Sequence, residues 1–144
     1  MILDSVRRTT HSRIAGAVRL MLALIFLMAG PAKLLVARLA AAWAGQLSAA
    51  SIPLEELSRV AVPYVEILLG LSLLIGFYVR PAALMVIGTM VVATYVHLVV
   101  DDPSLFPLQP SAPIIPVAVI AGAAFLLVKG GGAWSLDRKA TETV

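Results

Sequence analysis

Four apolar stretches of near membrane-spanning length fill most of this 144-residue chain and leave little sequence between them for a water-facing domain. A hydrocarbon core about 30 Å thick needs about 20 helical residues at about 1.5 Å each. Windows of that order run from Ile14 to Leu35, from Val60 to Val79 and from Pro81 to Val100. A fourth, Ile114 to Val128, is shorter. It is expected to borrow a first turn from the proline-rich approach Leu108 to Pro113 or to tolerate local thinning of the bilayer. The predicted fold is all-α, an integral membrane four-helix bundle forming a single transmembrane domain over 1–144.

Composition agrees with that reading and narrows the function classes. Apolar residues make up 60% of the chain and charged ones 13%, with a mean hydropathy of +0.98, so the lipid bilayer is the first partner. The net charge of +3 does not point to nucleic acid, because the basic residues are dispersed among apolar runs with no Lys/Arg stripe and no interleaved aromatics. Cysteine is absent, which removes disulfides, thiol nucleophiles and cysteine-ligated clusters. Any electron transfer must then use a bound molecule or a protein partner.

The amino end, with Arg7, Arg8 and Arg13 ahead of an apolar run and then Ala29 and Gly30, has some features of a secretory signal peptide. Arg19 interrupts the apolar core that such a peptide needs, so the first span is read as retained. Lys/Arg residues set orientation. Arg7, Arg8, Arg13, Arg80, Lys129, Arg138 and Lys139 fall on one side of a four-span path. Lys33, Arg38 and Arg59 fall on the other, beside Asp101 and Asp102. Both termini, including the tail 130–144, are expected in the cytoplasm of a cell with this protein in its inner (plasma) membrane.

The segment 38–50, RLAAAWAGQLSAA, is too short to span and carries Trp43 and Leu47 at i, i+4, so it is expected to lie as a helix along the outer interface with Trp43 as its anchor. Pro53 suits a first helical position, and Glu55 and Glu56 suit the first turn, where the helix dipole favours negative charge. The second helix is therefore expected to start outside the membrane, with Pro63 kinking it three residues before Glu66.

Three ionisable residues stand where lipid should reject them. Counting inward from the outer face, Glu66 lies roughly 9 Å deep and His97 roughly 4 to 5 Å, with Lys33 just inside the end of the first span. A charge at the bilayer centre costs roughly 2.5 to 3.5 kcal/mol on insertion scales, which favours pairing around a working site. Taken singly, Lys33 reads as a snorkelling anchor, Glu66 as a protonated carboxyl bonded to a neighbouring helix, and His97 as a structural histidine. Taken together they form the candidate polar cluster. Arg19 lies at the opposite end, 14 residues before Lys33, which places the two about 40° apart around the helix. It either snorkels or pairs with Asp137 or an anionic ligand. Tyr64 and Tyr95 are secondary candidates as hydrogen-bond donors, although each sits about 200° around its helix from a cluster member and suits packing better.

Nothing in the sequence matches a Walker loop, a dinucleotide glycine fingerprint or a Ser-His-Asp set, and His11 and His97 are too far apart in the span model for a metal site. Gly130 to Gly132 are expected to form a flexible helix cap before an interfacial Trp134. Gly30, Gly70 and Gly76 are expected at close helix packing.

Arg19 early in the first span, Gly30-Pro-Ala-Lys33 at its end, Ser51-Ile-Pro53 before the second, Glu66 followed by Leu69-Gly70, His97 late in the third, and Gly130-Gly-Gly-Ala-Trp-Ser-Leu-Asp137 after the fourth form an ordered set. That set resembles the DoxX family over nearly the whole chain, with Ser51 at a position where glycine is usual. The resemblance implies a four-helix membrane bundle tied to oxidoreductase systems. One related group is a subunit of thiosulfate:quinone oxidoreductase, some bacterial members join membrane complexes with oxidative-stress enzymes, and distant eukaryotic relatives look like assembly chaperones. Family membership predicts a fold better than a reaction.

The leading functional expectation is a subunit associated with quinone-linked redox chemistry. In it Lys33, Glu66 and His97 line a site open to the outer leaflet, a quinone is the cofactor, and a redox enzyme or a second copy is the protein partner. Whether the subunit is itself catalytic stays open. The first alternative is an assembly factor or scaffold whose polar trio fixes helix register. A proton-coupled carrier is the weaker alternative, because four short helices show no inverted repeat.

Overall fold

The computed structural model describes residues 7–101 and 110–138. Asp102, the start of the proline-rich approach at Leu108, and Lys139 with the rest of the tail lie outside the described residues. The helices are α1 Arg13–Leu35, α2 Ala37–Ala49, α3 Glu55–Ile75, α4 Val79–Val99 and α5 Ile114–Lys129.

Each boundary has a local cause. Ser12 caps α1 by accepting the Ala15 N–H at 3.1 Å. α3 opens on Glu55 and Glu56 after Leu54, which turns left-handed at φ 57°, so Pro53 lies outside the helix and not at its first position, and the helix runs continuously through Pro63. It ends at Ile75 because Gly76 turns left-handed at φ 71°, four residues before the expected end. α4 then starts at Val79, two residues before Pro81, so proline occupies its first turn, where no intrahelical N–H bond is lost. α5 starts at Ile114 with Pro113 as its cap, so Pro110 to Pro113 add no helical turn and the fourth helix keeps 16 residues.

α1, α3 and α4 are each long and apolar enough to cross a membrane, and α5 is a shorter apolar helix. The order is up-down-up-down. α1 packs chiefly on α3 and α4 on α5, with α1 also touching α5. The core gathers Leu22, Phe26, Leu69, Leu73, Val86, Val119 and Leu126 from all four. Outward, Met28, Leu68, Leu84, Leu98 and Val128 are largely exposed, an apolar exterior that water would not tolerate and acyl chains would.

Two glycines bring α1 and α3 together. A Cβ on Gly30 would come within 2.7 Å of the Pro63 carbonyl oxygen, and one on Gly70 within 2.7 Å of Leu27 Cγ. Close backbone approach of this kind substitutes dispersion contact for the hydrophobic drive that is missing between helices in lipid. It also sets the distance across which Lys33 and Glu66 meet.

Candidate functional site

The helical repeat that buries Ala15, Leu22, Phe26 and Gly30 on one face of α1 also buries Arg19 and Lys33. Both charges therefore point into the bundle, and the chain treats them in opposite ways.

At the Lys33 end, α1 and α3 present a cation and an anion. Lys33 Nζ donates to Glu66 Oε1 at 2.5 Å, with the two side chains only 7% and 5% exposed. Lys33 is thus not a snorkelling anchor: its ammonium is turned inward and held. Its other neighbour comes from α2, where the Trp43 ring lies 4.8 Å from Nζ, within cation–π range. Two polar atoms bordering this ammonium have no hydrogen-bond partner among the described residues, Glu66 Oε2 and Trp43 Nε1, and both are buried. Groups of this kind are nearly always bonded, which sets these two atoms apart at one charge.

His97 stands near the end of α4. Its Nδ1 lies 2.9 Å from the Ala93 carbonyl oxygen, one turn back in α4, and the residue is half-buried. Tyr95 is exposed and donates to the Ala50 carbonyl at 3.4 Å, which ties the end of α4 to the turn after α2. Tyr64 is also exposed, at 55%. Neither tyrosine hydroxyl is placed on the ion pair.

Trp43 reaches the ammonium from α2, whose buried residues are Gln46 and Leu47, a contact that the sequence does not reveal. A short Ala-rich helix gives no apolar period strong enough to tell inward from outward.

At the Arg19 end the charge meets no anion within its hydrogen bonds. Arg19 is fully buried and donates to the carbonyl oxygens of Leu73, Leu74 at 2.7 Å, Gly131 at 3.0 Å, Ala133 at 3.4 Å and Trp134 at 3.2 Å. A guanidinium carries five N–H donors in a fixed fork, which suits a ring of carbonyls that a helix end and a loop leave unpaired. Backbone oxygens occupy its N–H donors, and Asp137 lies close enough to act on it as a charge. Asp137 accepts the N–H groups of Tyr78 at 3.0 Å and Val79 at 2.9 Å, at the positive end of α4, and Arg7 Nε at 3.1 Å.

Gly130 caps α5, as expected, its N–H donating to the Leu126 carbonyl at 2.7 Å, and the run is closely packed. Gly130, Gly131 and Gly132 are buried, and a Cβ on Gly132 would lie 2.5 Å from the Gly16 nitrogen. The segment 130–137 closes this end of the bundle as a packed plug, with only Trp134 and Leu136 turned outward. Gly76, expected at a helix contact, is instead the left-handed turn on which Ser135 packs.

Among the described residues no group of three His, Asp or Glu side chains is placed to hold a metal ion. The fold, the apolar exterior and the buried charges define a multi-pass helical membrane protein. The DoxX family model matches residues 15–98, more than half the chain, and the protein belongs to the DoxX family. No curated protein and no solved structure matches it.

Proposed function

We propose that this protein is a membrane-embedded subunit of a quinone-linked oxidoreductase in the inner (plasma) membrane. In this reading both termini are cytoplasmic, α2 lies along the outer interface, and the Lys33–Glu66 pair with Trp43 receives the quinone headgroup. The supporting observation is the coincidence of two unpartnered buried atoms, Glu66 Oε2 and Trp43 Nε1, at one buried ammonium.

The residues fit such a group. Lys33 and the Trp43 N–H supply donors for a ring oxygen, and Glu66 supplies an acceptor that can also hold a proton. When bound, a quinone supplies two-electron, two-proton redox chemistry that no side chain of this cysteine-free chain provides. The chain's own part is narrower. Lys33 fixes Glu66 through Oε1 and leaves Oε2 as the acceptor for a ligand O–H. Trp43 fixes the ring oxygen from the α2 side. His97, two residues before the end of α4, is the relay that passes a proton toward the surface. Electrons are exchanged with a protein partner.

A photoreactive quinone in lipid nanodiscs tests this reading. Labelling is expected on the peptides that carry Lys33, Trp43 and Glu66, and to be competed by unlabelled ubiquinone. Labelling spread over the lipid-facing surface would overturn it.

A scaffold reading draws on a different observation: Lys33 and Glu66 join the two helices that Gly30 and Gly70 already hold closest. In that case the pair only fixes register, and no labelling is competed.

A further inference from the structure

We infer that the site selects the reduced, hydroxyl-bearing form of its ligand over the oxidised carbonyl form, with Glu66 Oε2 as the selecting atom; this rests on the quinone-linked reading above. Glu66 Oε1 already takes an N–H from Lys33 at 2.5 Å. Its second oxygen is buried and has no donor among the described residues. A carboxylate oxygen in that position is an acceptor and nothing else. What it lacks is an O–H or N–H.

The two redox forms of a quinone differ in this respect. The carbonyl form has acceptors only, so beside Glu66 it leaves Oε2 unsatisfied and sets two oxygens against each other. The hydroxyl form donates to Oε2. Trp43 Nε1, a donor only, is served by an oxygen of either form and does not discriminate. Lys33, held between Glu66 and the Trp43 ring, serves either form as well. Selection therefore falls on a single atom of a single side chain, and α2 adds affinity through Trp43 without adding preference.

A buried charged acceptor left without its partner weakens binding by about tenfold or more. The hydroxyl form is accordingly expected to bind at least about tenfold more tightly. For a two-electron couple that corresponds to a bound midpoint potential about 30 mV above the free one. A subunit with this bias is suited to take up reduced ligand from the membrane pool.

The experiment uses the full-length chain in lipid nanodiscs with decylubiquinone and its anaerobically reduced quinol as probes. Binding is read from quenching of Trp43 in a Trp134→Phe background, against empty nanodiscs. The expected result is quinol binding at least about tenfold tighter than quinone, with the ratio falling to near one in Glu66→Gln, whose amide both donates and accepts. Because Glu66→Gln strands the Lys33 ammonium and can fail to fold, Trp43→Phe is a second variant, read from the midpoint potential of bound decylubiquinone. It weakens both forms alike and leaves the 30 mV offset unchanged. Equal affinity for the two forms, or tighter quinone, overturns the selection while leaving the quinone-linked reading in place. Binding of neither form overturns both.

Discussion

Arg19 and Asp137 tie the same closing segment to three helices. Arg19 on α1 takes the carbonyls of Gly131, Ala133 and Trp134 together with two from the end of α3, and Asp137, three residues further on, takes the first N–H groups of α4. A buried cation and a buried anion thus serve backbone groups that helix ends leave over, in a part of the fold where water is scarce.

Replacing Arg19 by Met should lower stability by about 3 kcal/mol or more, because hydrogen bonds to a charged group contribute about 1.5 to 3 kcal/mol and several carbonyls would be stranded at once. Arg19→Lys should recover only part of the loss, since one ammonium lacks the fork that spans α3 and the closing segment. Thermal unfolding in detergent, followed by circular dichroism, checks both. A Lys variant as stable as the parent would contradict the carbonyl-ring account.

Asp137→Asn should be milder. One oxygen remains to accept at the start of α4, while the charge facing Arg7 and the helix dipole is lost, so a cost of about 1 kcal/mol is expected, and about twice that for Asp137→Ala. Hydrogen exchange localises the effect. Protection should fall first at Tyr78 and Val79 and leave the middle of α1 unchanged.

Gly30 and Gly88 make a matched pair of tests. A Cβ at Gly30 meets the Pro63 carbonyl at 2.7 Å and Ile67 Cγ1 at 2.9 Å, whereas one at Gly88 meets nothing within 4 Å. Gly30→Ala should cost about 1 to 3 kcal/mol by forcing α1 from α3, and Gly88→Ala should be neutral. Equal effects at the two sites would show that helix propensity, not interhelical contact, governs them.

How far these features can be read from sequence varies with their cause. The long helices follow from apolar length, and the acidic first turn of α3 falls at Glu55 and Glu56 as expected, although Pro53 lies two residues before the helix and not at its first position. The common face of Arg19 and Lys33 follows from their spacing of 14 residues. The end of α3 was misplaced because apolar residues run on from Ile75 to Val79 while the chain turns at Gly76. Periodicity cannot register a left-handed turn inside an apolar run. The carbonyl partners of Arg19 are not legible, because a cation in a span suggests an anion and backbone carbonyls leave no mark in a sequence. The contact of Trp43 with Lys33 is not legible, because alanine fills six of the 13 positions of α2 and leaves no strong apolar period to orient the ring.

The Lys33–Glu66 pair should follow the rule for buried ions. Lys33→Met or Glu66→Gln alone strands a partner and should cost about 3 to 5 kcal/mol, whereas the double variant should come close to the parent, since an uncharged pair needs no compensation. A double-mutant cycle on thermal stability measures the coupling. Additive losses would mean that the two side chains do not depend on one another.

That double variant makes the most direct test of the central claim, that the buried pair holds a quinone headgroup. Quinone content of the protein extracted into native-lipid nanodiscs, measured by mass spectrometry against protein-free discs, should approach one per chain in the parent and fall to the protein-free level in Lys33→Met/Glu66→Gln. A folded double variant that keeps its quinone, or a parent with no excess over lipid alone, would contradict the account.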